Sequence, residues 1–181
     1  MVENTSVDRL YQEAIAVVGT LEKQSELSLH ISAADNLRKS LLLAAASHFE
    51  HKVTSVVADF VREAARGSVL VEQFVRNKAI ARQYHTWFNW NDKNANQFFG
   101  FFGQEFQTLM VSRMKSHDDL RLSVKAFLEL GNERNRLVHQ DYASFSLEKT
   151  MEEIYALYKK SLLFVTDLPV ALRECDAATR A

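Results

Sequence analysis

Apolar residues recur along most of this chain every three or four positions, the period of helices that bury one face. Val7 to Glu26 puts Leu10, Ile15, Val18 and Leu21 near one side, after the capping candidates Asn4, Thr5 and Ser6, and is predicted as an amphipathic helix. Ser32-Ala33-Ala34-Asp35 supplies a second start, and the pattern then continues to Gly67 with Leu42, Ala46, Phe49, Val53, Val57 and Phe60 as its buried stripe. A shorter helix follows from Ser68 to about Ala81. His85 to Asn94 loses the period among clustered Asn and Asp and reads as a loop rich in aromatic rings.

The period resumes from Asn96 to Lys115, where Gly100 and Gly103 mark a kink or short break. His117-Asp118-Asp119 opens a helix reaching His139 or Gln140, and Ser146-Leu147-Glu148 opens the last one, which Pro169 is expected to end or kink. The sum is an all-α fold, an antiparallel helical bundle, read as one domain over residues 1–181.

Composition agrees with that picture. Gly (5) and Pro (1) are too scarce for a turn-rich β protein. The single cysteine, Cys175, excludes an intrachain disulfide and a cysteine zinc site, and it fits a cytoplasmic setting. The first residues lack the marks of a signal peptide, and the longest apolar run, Leu41 to Ala46, is too short to cross a bilayer, so no membrane association is expected. A formal net charge of -1 supplies no global attraction for nucleic acid, so any such contact must be local.

The helix from His117 carries the chemistry. On a wheel of about 100° per residue, Leu120, Val124, Leu130, Leu137 and Val138 all fall within roughly 80° of Phe127. Arg134 falls inside the same stripe, where a guanidinium needs a partner. Asn135 and His139, four apart, share one side at its margin, whereas Arg134 and His139 diverge by roughly 140°. Closing both around one phosphate needs either an end to the helix near Val138 or a second copy of the chain; the second is favoured, with the first contributing.

Arg134-Asn135-Arg136-Leu137-Val138-His139 resembles the motif of the HEPN superfamily: an arginine, a polar residue and, after further positions, a histidine near a helix end. Ala44-Ala45-Ala46-Ser47-His48-Phe49-Glu50-His51-Lys52-Val53 is similar to the helix that opens many prokaryotic HEPN domains, the RiboL-PSP-like and related defence-associated groups in particular. The resemblance covers Ser32 to Leu162 in organisation. Some HEPN toxins carry a modifiable tyrosine two positions after the histidine; here the first is Tyr142, three positions on, and that regulation is not carried over.

The resemblance implies a homodimeric, metal-independent endoribonuclease without cofactor, acting on RNA as the toxin or effector of a prokaryotic defence or toxin-antitoxin system, with an antitoxin or regulatory partner protein. The residue chemistry suits it. The RNA 2'-hydroxyl attacks the adjacent phosphate, His139 takes or gives a proton, and Arg134 offers a fork of donors to the phosphate oxygens. Asn135 completes the catalytic set by donating to the phosphate or orienting His139, and Arg136, pointing off the stripe, is the substrate-binding candidate for flanking RNA. Glu50, at the margin of the central stripe, is the supporting candidate, a carboxylate to pair with Arg134.

Plainer assignments stand beside these. Arg134 makes a structural ion pair and His139 caps a helix end in one of them; the domain is then a non-catalytic scaffold that binds nucleotide, RNA or protein. His48, Glu50 and His51 lack an obvious further ligand for a metal. The aromatic residues from Trp87 to Phe106 suit a core or partner surface better than a base-stacking platform.

Overall fold

The computed structural model describes residues 5–180. Among them the chain forms α1 (Ser6–Lys23), α2 (Leu27–Ala64), α3 (Val69–Val75) with a π-helical turn at Arg76–Ile80, α4 (Tyr84–Trp87), α5 (Asn96–Gly100), α6 (Gln104–Ser116), α7 (Asp118–Val138) and α8 (Met151–Arg180), and no strand. The all-α expectation holds, and no helix of the described residues is long and apolar enough to cross a membrane. They group into two compact units, one made of the residues up to His48 with Leu130–Lys159, the other of Phe49–Glu129 with the residues from Lys160 on.

In the first unit, Thr5 caps α1 reciprocally with Asp8: the Asp8 amide donates to Thr5 Oγ1 at 3.2 Å and the Thr5 amide donates to Asp8 Oδ2 at 2.7 Å. Of the other cap candidates, Ser6 already lies within α1, and Asn4 falls outside the described residues. The buried side of α1 is Val7, Asp8 and Ala14; of the expected face Leu10, Val18 and Leu21 are half-buried and Ile15 is exposed, so the helix is turned from the Ile15 side. An acid drives this turn: Asp8 Oδ1 accepts from Tyr155 Oη at 2.7 Å and Lys159 Nζ at 3.1 Å, while Tyr11 stacks on Tyr155 with ring centroids 4.0 Å apart.

The break between α1 and α2 falls at Ser25, whose φ is +60°, so α2 begins at Leu27 rather than Ser32. Leu27, Leu29 and Ile31 are exposed, which hid this first turn from a search for buried periodicity. Leu41, Leu42, Ala45 and Ala46 of α2 are buried, as are Leu137 of α7, Leu147, and Met151 and Ile154 of α8. The last helix starts later than expected because its capping pair is Thr150 and Glu153, each backbone amide donating to the other's side chain, not Ser146.

The second unit is built on aromatic rings. Phe88 and Phe98 stack at 4.6 Å, and Phe127 lies 5.1 Å from both Phe88 and Phe164 and 5.6 Å from Phe49. The residues from Trp87 to Phe106 thus furnish core, with Phe101 left exposed. Gly103, at φ +99°, makes the break between α5 and α6 that the two glycines announced. Pro169 neither ends nor interrupts α8. Its missing N–H costs one helical bond, but Leu168, Ala171 and Leu172 around it are buried, and that burial holds the helix through the proline.

Candidate functional site

The motif occupies the last turn of α7 and the residue beyond it, in the first unit. Leu130 and Leu137 anchor this stretch in the core, whereas Val138, expected in the same stripe, is exposed. The helix ends there: Val138 is its last residue, and His139 stands in the following turn with its amide still donating to the Asn135 carbonyl at 3.1 Å. His139 is exposed, and Arg134 and Asn135 are half-buried. A straight helix keeps Arg134 and His139 apart, and α7 ends at Val138, between them.

Arg134 Nη1 donates to Asn135 Oδ1 at 3.1 Å. The Asn135 carbonyl thereby aims the guanidinium, and its amide group remains a donor. The neighbouring cation takes the carbonyl oxygen, so either role expected of Asn135, donating to the phosphate or orienting His139, falls to that amide group. Arg136 is exposed, pairs with Glu133 at 3.2 Å across one turn and lies over the Phe145 ring at 5.8 Å. A surface pair of this spacing is weak and yields readily to a stronger anion. Glu50 is half-buried on α2 in the second unit, its carbonyl accepting from Thr54 Oγ1 at 2.6 Å. His48 packs its ring edge-on to Tyr158, with centroids 5.6 Å apart.

The loop that carries His139 into α8 is held by a residue the sequence reading passed over. Lys39, only 1 % exposed, donates from Nζ to the Tyr142 carbonyl at 3.0 Å, pairs with Asp35 Oδ2 at 2.7 Å and faces the Tyr142 ring at 5.1 Å. The bond from Lys39 keeps the Asp35 carboxyl below its ordinary range against the opposing effect of burial. Farther along, Asp141 Oδ2 accepts from Ser144 Oγ at 2.8 Å and its backbone carbonyl from the Phe145 amide at 2.9 Å, closing a tight turn. The Ser144 hydroxyl, with the Ala143 amide, lowers the Asp141 pKa. Lys39 was legible in principle: it stands three residues before Leu42, on the same buried stripe, with Asp35 one turn earlier.

A half-buried guanidinium held by an amide, an exposed imidazole just past the helix end and a loop pinned by an internal cation provide donors for an anion and a proton carrier in one short segment. A family model described as RiboL-PSP-HEPN matches residues 9–173 of the chain. No curated protein and no solved structure matches it.

Proposed function

Because the chain belongs to the RiboL-PSP-HEPN family, we propose that it is a metal-independent endoribonuclease, with residues 1–181 working as one domain within a homodimer. The observation that carries this reading is the Arg134–Asn135 hydrogen bond beside a free-standing His139, all within the segment that resembles the HEPN motif. In the proposed reaction the RNA 2'-hydroxyl attacks the adjacent phosphorus as His139 moves the proton. Arg134, aimed by Asn135, stabilises the charge gathering on the phosphoryl oxygens, and Arg136 leaves Glu133 to bind a flanking phosphate. The 5'-oxygen departs with a proton and leaves a 2',3'-cyclic phosphate. The second copy supplies the complementary Arg134 or His139 that one helix keeps apart. On this reading the protein is a cytoplasmic toxin or effector of prokaryotic defence, restrained by an antitoxin or regulatory partner.

The test is cleavage of labelled RNA in EDTA by wild type and His139→Ala, with a substrate whose 2'-hydroxyls are replaced by hydrogen as control. Cleavage by wild type alone, sparing the deoxy substrate and ending in a cyclic phosphate, is the expected result. Cutting by His139→Ala at the wild-type rate overturns the mechanism. Failure of the wild type to cut any of several RNAs turns the reading to the non-catalytic scaffold.

A further inference from the structure

The second unit carries a surface that packing leaves unused. Gly67, at φ +83°, turns the chain out of α2 into α3 (Val69–Val75). Leu70 and Phe74, four residues apart on one side of α3, are 84 % and 68 % exposed, and Val69 and Val71 are exposed beside them. An isolated apolar side chain at a surface is ordinary; a seven-residue helix exposing three in succession and a fourth, Phe74, one turn after Leu70 marks a binding face.

The following segment adds a cavity and a charge. A cleft of about 490 Å³ opens among Val75, Phe98, Phe102, the exposed Phe101 and the π-helical turn. One edge is fixed, because Trp87 Nε1 donates to the Ala79 carbonyl at 3.1 Å. Among the described residues Lys78 is the single charged one lining it. Arg66, Arg76 and Arg82, all exposed, stand with Lys78 in the same stretch of sequence. The acids nearby are already engaged: Asp59 and Glu72 with Arg62, and Glu63 with Arg173. A chain of net charge -1 therefore has a surplus of cations along this stretch of sequence, with Lys78 placed at the cleft itself.

We infer that this face, α3 with the adjoining cleft, docks an acidic amphipathic helix of a partner protein. The apolar side chains of such a helix, spaced three and four apart, fill the cleft and cover Leu70 and Phe74, and its flanking carboxylates meet Lys78 and the neighbouring arginines. The exposed aliphatic groups favour a protein over RNA, which has no use for Val69, Leu70 and Val71. A second copy of this chain is disfavoured, because a two-fold pairing would set these cations against their own equivalents. The inference does not depend on cleavage activity.

The experiment is selection from a displayed library of helical peptides about four turns long against the full chain. Binders are then measured by fluorescence anisotropy on wild type, on Leu70→Ser/Phe74→Ser and on Lys78→Glu, each verified as folded by circular dichroism. The expected consensus is acidic with apolar anchors at helical spacing, binding at least about tenfold more weakly to either variant, and weakening with added salt. A basic or non-helical consensus, no enrichment, or equal affinity for the variants overturns it. So does loss of oligouridylate or of phosphatidylglycerol-vesicle binding in these variants without selected peptides, or conversion of a dimer to monomers by Leu70→Ser/Phe74→Ser, which would assign the face to RNA, a membrane surface or a second copy.

Discussion

Two stretches of one helix, α7, follow the same period and meet different surroundings. From Leu120 to Phe127 the inward positions are apolar and close-packed except Ser123, whose Oγ accepts from the Phe164 amide at 2.8 Å, and Phe127 alone touches Phe49, Phe88, Trp90 and Phe164. From Leu130 onward the inward period admits Arg134, and its unit is fastened by buried or half-buried charge: Lys39 with Asp35, and Asp8 with Tyr155 and Lys159. Rings tolerate exchange among apolar shapes of equal volume, whereas each buried charge specifies its partner atom by atom. The second arrangement is suited to placing a reactive group, and the first to supporting one.

The sharpest way to break the comparison is Phe127→Ala. It removes a fully buried ring and is expected to cost about 3–5 kcal/mol in denaturant unfolding, with cleavage per folded molecule retained. Arg134→Gln should do the reverse: cleavage falls by about 100-fold or more while stability moves by less than about 1 kcal/mol, as paired rate and urea measurements would register. A comparable loss of stability in Arg134→Gln would mean that the arginine is a core ion rather than a reactive one. Lys39→Met keeps the length and loses the charge. The expected cost is about 2 kcal/mol, with faster amide exchange at Ala143 and Phe145, and unchanged exchange there would show that the loop holds itself.

Asp8 gives the most graded effect. Burial alone would raise its pKa, but the bonds from Tyr155, from the Thr5 amide and hydroxyl and from Lys159 outweigh burial and bring it down to about 2. A carboxylate with a depressed folded-state pKa stabilises fully above its unfolded pKa of about 3.9 and loses that contribution as pH falls toward 2. Asp8→Asn should therefore cost about 2 kcal/mol at neutral pH, and the gap between the two proteins should close between about pH 4 and pH 2 in acid unfolding curves. A gap that persists unchanged at pH 2 would assign the cost to lost geometry instead.

Periodicity made the helices legible, since burial of one face repeats in sequence. It failed where burial was not the reason for a residue's place. The opening turn of α2 exposes Leu27, Leu29 and Ile31, so no stripe announced it, and Pro169 misled because Leu168, Ala171 and Leu172 beside it are buried and hold the helix through it. The start of α8 was readable as the Thr150–Glu153 capping box, but Ser146 offered a competing start, and only the folded loop decides between them. Arg134 stood out because a charge broke an apolar stripe. Lys39 broke one in the same way, with Asp35 one turn earlier as a readable partner, but its other partner, the Tyr142 carbonyl, is a backbone atom that side-chain patterns cannot point to.

The Lys39–Tyr142 bond joins residues 103 positions apart. A nascent chain synthesised only as far as His139 therefore holds the whole motif but not the fastening of its loop. On the proposed reading, such a chain emerging from a ribosome, surrounded by RNA, does not yet have its histidine in place. On that reading, completion of the fold is what seats the histidine.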